Sequence, residues 1–311
     1  MWFATSAGST RRWRGAAELS ISARVDGITQ EDVRAELWEK RSLVKAWTIR
    51  GTLHLHPADD LPVWAAAARA LSDPEDAAVL DAIADALNGR CLLREELADE
   101  VAKRAGEWTR EKISSGWGYF IGSAAAEGRL CHGPPRGNKV TFVRTDQWIE
   151  WRDVDPDEAL AEICRRFLKT YGPAGARELA AWLSVKPGEV PPLPEVKAGP
   201  GRTPGPVRLL PEYDCYVMGF RERDQLVPEK LRERIKSHPK GRFEGIAAVP
   251  TLLIDGVVAG IWRRAKKGKK VEIAVEPARR LHPAEREAVN AEAKRIGAFL
   301  GAEPAIRIGK L

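Results

Sequence analysis

KAWTIRGTLHLHP, Lys45 to Pro57, packs two cations, a tryptophan and two histidines around Gly51. Its reading, joined to the residues before it, decides the fold. Thr29 offers an N-cap to a helix over 30–39, in which Val33 and Leu37 are four apart and form an apolar stripe with Ala35 and Trp38 nearby. After the break at Lys40-Arg41-Ser42, the pattern predicts a second short helix from Leu43 to Thr48, ending near Gly51, and TLHLH then reads as a strand. Helix, turn, helix, strand is the order of a winged helix. The following PADDLPVWAAAARAL is helical, with Asp59 or Asp60 near its start.

Related patterns recur downstream. REELADEVAKRAG is an amphipathic helix, WTREKISSGWGYFIGSAAAEG adds a turn and a further helix, and RLCHGPPRGNKVTFVRTD gives two strands around a Gly/Pro turn. A third helical block begins on an Asp155-Pro156 cap and sets Leu160, Ile163, Phe167 and Tyr171 on one face, with a second helix from about Ala174 to Leu183. PPLPEVKAGPGRTPGP, residues 191–206, sustains neither ladder nor helix and is a linker or a lost wing. Beyond it, VRLLPEYDCYVMG and TLLIDGVVAGIWRR carry the runs of buried strands, Asp255-Gly256 suits a tight hairpin, KKVEIAVEP should pair next, and HPAEREAVNAEAKRIGAFLG closes the chain as a helix.

The expected organisation is therefore α+β and mainly helical. Residues 1–15 lack periodicity and are expected to be disordered or out of frame; 16–72 form a first winged helix, 73–150 a second, and 151–190 a third, truncated one. Residues 191–206 form the linker and 207–311 a C-terminal β-rich α+β module.

Length and composition limit the function. A chain of 311 residues supports two or three compact units. Lys and Arg outnumber Asp and Glu by 50 to 44, a net charge of +6, which permits a polyanionic partner if the excess clusters. Cys91, Cys131, Cys164 and Cys215 show no C-x-x-C spacing and read as buried thiols of a cytoplasmic protein. No apolar run approaches the ~20 residues of a membrane span. No metal or cofactor is expected.

The cations do cluster. WRRAKKGKK, Trp262 to Lys270, holds Arg263, Arg264, Lys266, Lys267, Lys269 and Lys270 with no acid, at a predicted hairpin tip. Solvated lysines alone would satisfy that pattern, but projecting cations are also what phosphate contacts need. If Ser42 to Thr48 is a recognition helix, Arg41 and Lys45 project towards DNA, Leu43, Val44 and Trp47 hold the core, and Arg50 and Thr52 face phosphates. His54 and His56, two apart on a strand, share one face, as a metal pair would. Two ligands are not a site, and His132, His238 and His282 are isolated. With Leu53 and Leu55 on the core face, both histidines should lie at the surface or a domain seam. GPPRGNK and GPGRTPG do not follow the phosphate-loop pattern, and Asp214 and Asp255, at strand ends, read as turn caps.

LWEKRSLVKAWTIRGTLHLHPADDLP, VRLLPEYDCYVMGFRERDQLVP and LLIDGVVAGIWRR, in that order, resemble the bacterial winged-helix DNA-binding proteins related to AlkZ-type DNA glycosylases. The resemblance spans roughly 16–190 and 207–311. It implies tandem winged helices and a C-terminal β-rich part forming a basic DNA cradle; the chain is accordingly expected to be a monomer that binds duplex DNA, with His54 among the expected contacts. It further implies excision of alkylated or crosslinked bases. Glycosylases of this type carry a Gln-x-Gln or His-x-Gln pair, upstream of the segment matching AAELSISARV, that orients water for attack at C1′. Here that place reads GSTRRWRG, with neither Gln nor His. Gly8 to Trp13 can be encoded as GGC TCC ACG CGC AGG TGG, and the same bases read from the third position give Leu-His-Ala-Gln-Val. An out-of-frame N-terminus would thus account for the missing motif, and the chain as written is expected to be inactive.

Two other readings remain open at this level. One is a winged-helix transcriptional regulator without catalysis, although three such units without an evident dimer helix or effector pocket count against it. The other is a module in which His54 and His56 line a small-molecule site.

Overall fold

The computed structural model of the protein describes residues 3–5, 11–73, 76–115, 119–192, 207–220, 226–237 and 245–311. It is α+β, with thirteen helices and eleven strands among those residues. The chain divides into two compact units, one of residues up to 13 with 34–199, the other of 14–33 with 200–311.

In the first unit, β1 (Phe3–Thr5), β3 (Leu53–Pro57) and β2 (Leu43–Trp47) form an antiparallel sheet with β3 in the centre. The segment expected to be a recognition helix is therefore a strand. LVKAW alternates, with Val44 and Ala46 buried and Leu43 and Lys45 half-buried, and its backbone is paired along the ladder with Val44 opposite His56 and Ala46 opposite His54. Six residues are too few to hold a helix against such pairing. The preceding helix α2 (Gln30–Trp38) forms as expected: Asp32 N–H donates to Thr29 Oγ1 and Thr29 N–H to Asp32 Oδ2, and Val33 and Leu37 are buried.

The winged-helix order does appear in the next segment. Helix α4 (Ala77–Ala86), β4 (Leu92–Leu93), α5 (Arg94–Ala105), α6 (Thr109–Ser114), α7 (Tyr119–Ala126) and the hairpin β5 (Cys131–Arg136) and β6 (Lys139–Val143) follow one another, with β6 central in the sheet. Val79, Ile83, Leu97, Val101, Ile121 and Phe142 share its core. The short α8 (Thr145–Trp148) leads to α9 (Pro156–Tyr171), which is capped by Asp155, whose Oδ1 accepts from the N–H groups of Asp157 and Glu158 at 3.0 Å each. Leu160, Ile163 and Phe167 pack against Trp182 of α10 (Ala176–Leu183) and against Trp64 of α3 (Leu61–Ala70). Pro191 and Pro192 belong to no helix or strand, and the rest of the expected linker, 193–206, lies outside the described residues.

The second unit is built on a five-stranded mixed sheet in the order β11 (Glu303–Ile308), β10 (Lys270–Pro277), β9 (Val257–Lys267), β8 (Thr251–Ile254), β7 (Val207–Leu210). Asp255 and Gly256, with φ of 51° and 79°, make the predicted tight turn between β8 and β9. Helix α13 (Pro283–Phe299) also forms, but it does not close the chain: β11 follows it and pairs parallel to β10. Helices α11 (Cys215–Met218) and α12 (Glu229–Ser237) lie between β7 and β8.

Helix α1 (Arg11–Ser22) corrects the expectation of disorder up to Gly15, as does β1. The arginines and alanines of RRWRGAAELSIS are strong helix formers, and they run without a break into the buried Leu19 and Ile21. Residues 6–10, part of the same expectation, lie outside the described residues. Of the cysteines, three are buried as read and Cys91 is exposed.

Candidate nucleic-acid interface

Strands β9 and β10 pair Lys267 with Lys270, which puts Gly268 and Lys269 at the tip of the hairpin. Gly268 has φ of 56°, a conformation that suits glycine and closes the loop in two residues. Arg263, Lys266, Lys267, Lys269 and Lys270 are exposed, while Arg264 is half-buried. Alternation turns Arg263 and Lys267 away from the face that buries Trp262 and Ile273, whereas Arg264 and Lys266 lie on that face and Lys266 is exposed near the hairpin tip. Lys266 Nζ donates to the Leu300 carbonyl at 2.5 Å, and Arg264 approaches Glu212 at 3.8 Å. Arg263, Lys267, Lys269 and Lys270 form no ion pair with another described residue. The result is a projecting cationic edge whose cations outnumber the neighbouring Glu272 and Glu303, the latter opposite Lys270, the geometry that phosphate contacts require.

The other predicted contacts lie in the first unit, around the turn Thr48 to Thr52. Arg41, with φ of 56°, lays its guanidinium 3.9 Å from the centre of the Trp148 ring, and Lys45 is half-buried on β2; neither rides on a recognition helix. Trp47 is core, as read, and stacks on His132 with centroids 4.9 Å apart.

His54 and His56 depart from expectation. Both are buried, at 0% and 1% exposure, as are Leu53 and Leu55. Alternation along β3 does place the histidines on one face, but β3 is the central strand and Trp64 of α3 covers that face, its ring centre 5.2 Å from that of His56. A strand covered on both sides does not show one side to water. His54 is therefore corrected from a DNA contact to an interior residue. The two rings are 5.7 Å apart and each has a hydroxyl neighbour: Thr52 Oγ1 lies 2.6 Å from His54 Nε2, and Thr48 Oγ1 lies 3.1 Å from His56 Nε2. Burial pushes the His56 pKa down to about 3, against an opposing pull from Asp60. His54 is held well below its ordinary value by burial, then by His56 and Arg50. Both imidazoles are neutral near pH 7.

Above this pair, the chain turns through Ile49–Gly51 with two consecutive left-handed residues, Arg50 at φ 64° and Gly51 at φ 58°. For arginine such backbone costs on the order of 1–2 kcal/mol and persists only where its surroundings impose it. Thr48 and Thr52, each tied to a histidine below, flank the turn and fix it. Arg50 lines a cavity of about 400 Å³ together with Trp47, Thr48, Ser72, Ser123 and Ser184, and the apolar Leu71, Leu183 and Val185 complete the wall. Among the described residues no Asp or Glu lines it. Ser123 comes from α7, and Ser184 follows α10 as its left-handed C-cap. No local pattern marks these serines in the sequence; packing of distant helices brings them here.

Of the residues singled out in the sequence, Arg41, Lys45, Arg50, Thr52 and His54 belong to the first unit, and Arg263 to Lys270 to the second. Among the described residues no helix is long and apolar enough to cross a membrane.

Comparison with known proteins places these features in a family. The model of the DNA glycosylase AlkZ-like family matches residues 7–299. An interstrand DNA cross-link repair glycosylase of Streptomyces sahachiroi is 28% identical over 292 residues, covering 79% of this chain and 76% of that protein. The solved structure of Streptomyces sahachiroi DNA glycosylase AlkZ is similar in fold, with a TM-score of 0.73 at 24% identity over 96% of this chain and 90% of that one. The chain belongs to the AlkZ-like DNA glycosylase family.

Proposed function

We propose that this chain is a cytoplasmic, monomeric DNA-binding protein that serves the repair of alkylated or crosslinked bases. The observation that carries the reading is the exposed cationic edge in which Arg263, Lys267, Lys269 and Lys270 form no ion pair with another described residue, in a member of a DNA glycosylase family. Arg41, Lys45, Arg50, Thr52, Arg264 and Lys266 add further contacts to the phosphate backbone of duplex DNA. Such contacts release condensed counterions, so affinity falls steeply with salt.

Hydrolysis of an N-glycosidic bond needs an acceptor that orients water at C1′ and an environment that tolerates an oxocarbenium-like centre while the base departs with the bonding electrons. The segment GSTRRWRG supplies neither Gln nor His for the first task. The chain as written binds DNA and does not excise the base. The test is a glycosylase assay on an alkylated duplex, comparing this chain with one in which Leu-His-Ala-Gln-Val replaces the residues encoded by the same bases in the other frame. Release by the restored chain alone is the expected result; release by the 311-residue chain itself would overturn the inactive reading.

A further inference from the structure

We propose that the cavity above the Thr48–Thr52 turn binds a neutral nucleobase, its ring held between apolar walls and its polar edge met by the Ser123 and Ser184 hydroxyls.

Gly122 stands in the interior of α7, where glycine weakens a helix relative to alanine. The described packing does not ask for it there. Its φ is not in the left-handed region, and a Cβ built on it meets no described atom within 4 Å beyond its own turn of helix. What the missing side chain leaves open is the wall of the cavity of about 400 Å³, which Gly122 lines.

Small-molecule sites run from about 300 to 1,000 Å³ and are mostly apolar, with a few polar groups that fix orientation. The lining has that make-up. Trp47, Leu71, Leu183 and Val185 give apolar surface, and Ser123 and Ser184 each present a hydroxyl that makes no hydrogen bond with another described residue. The two serines reach the same space from different elements, Ser123 on α7 and Ser184 in left-handed backbone at the end of α10. A hydroxyl both donates and accepts, so the pair suits the mixed donors and acceptors along the edge of a base. Arg50 also lines the cavity but is engaged in an interaction of its own, and the nucleobase needs no contact from it.

A base extruded from a DNA strand and the base of a free nucleoside share this chemistry. The choice of a nucleobase among flat molecules with mixed polar edges rests on the proposed function; the vacant wall at Gly122 and the two hydroxyls do not.

The test uses the full chain and two variants. Gly122→Leu fills the cavity with a strong helix former, and Ser123→Ala/Ser184→Gly removes the hydroxyls while suiting the left-handed backbone at 184. Adenosine binding is followed by saturation-transfer difference NMR with ribose as the control. Anisotropy titrations use two short duplexes, one fully paired and one with an unpaired adenine, and thermal unfolding checks that each variant is folded. Saturable adenosine binding that weakens at least tenfold in Gly122→Leu and severalfold in the serine variant, with no ribose binding, is the expected result. If Gly122→Leu does not fold, the serine variant decides. Loss of affinity in Gly122→Leu for the duplex with the unpaired adenine, but not for the paired one, assigns the site to an extruded base. Weakened adenosine binding with both duplex affinities unchanged assigns it to a free nucleoside. A chain that binds adenosine in this cavity but neither duplex keeps the site and refutes the proposed function. Absence of saturable adenosine binding, ribose binding as tight as that of adenosine, or adenosine binding equal in the parent and both variants overturns the site.

Discussion

Arg24 grips the Asp214 carboxylate with two hydrogen bonds, at 2.6 and 2.9 Å, and so ties the end of helix α1 to the turn that follows β7. Ser20 Oγ donates to the same carboxylate at 2.7 Å and the Tyr216 N–H at 2.9 Å. Asp214 is wholly buried, with every oxygen engaged, in the PEYD segment whose Tyr213 also has left-handed backbone at φ 57°.

Asp214→Ala removes the carboxylate that faces the Arg24 guanidinium in a largely buried place. Loss of one member of such a pair costs about 3–5 kcal/mol, so the denaturant midpoint of the C-terminal unit should fall by that equivalent. Unchanged stability would show that α1 is not anchored through this carboxylate.

The histidine pair makes stability pH-dependent in a fixed direction. The folded pKa of His56 is about 3 against 6.5 for the free side chain, and that of His54 is also depressed, so below pH 6.5 the unfolded chain binds protons that the folded chain refuses. Stability from these groups is full above pH 6.5 and declines as pH falls towards 3, by up to about 1.4 kcal/mol per pH unit for each histidine. Urea titrations between pH 7 and 4 measure it. His56→Gln should lower stability at pH 7 and flatten the acid slope; an undiminished slope in that variant would place the sensitivity elsewhere.

Gly260 lies where β9 crosses β10, and a Cβ there would sit 2.5 Å from the Glu276 carbonyl oxygen and 2.9 Å from Pro277 Cα. Both neighbours are backbone and cannot rotate away. Gly260→Ala should therefore destabilise the sheet by about 1–3 kcal/mol, which thermal unfolding would register, whereas Gly268→Ala at the open tip meets only its unfavourable φ of 56°.

Lys267, Lys269 and Lys270 test the cationic edge without touching the core. Their joint replacement by alanine should leave thermal stability unchanged, weaken duplex affinity by more than tenfold at low salt, and reduce the salt slope by about 2–3. Equal affinity of the triple variant and the parent would remove this hairpin from the interface.

Much of this architecture is written locally. The Thr29 and Asp155 caps, the Asp255-Gly256 turn and the outward lysines of β9 and β10 each depend on a few adjacent residues, and their expected elements formed. Residues 43–48 form a strand in place of the expected helix because six residues with Leu43 and Val44 fit either period, and the choice is made by β3, which supplies the pairing partner. Burial of His54 and His56 escaped for the same kind of reason: alternation fixes which residues share a face, but only the cover from Trp64 says that the face is dry. The cavity is less legible still, since Arg50 is local while Ser123 and Ser184 lie more than seventy residues beyond it. The family resemblance, by contrast, rested on short strings of residues, and the family match confirms it.

The most direct measurement is the dissociation constant of the 311-residue chain for a lesion-free duplex, followed across a salt series. Engagement of several phosphates by the cationic residues predicts that log affinity falls linearly with log salt, with a slope of about 0.9 for each phosphate neutralised. A flat response, or no binding at low salt, would contradict the account.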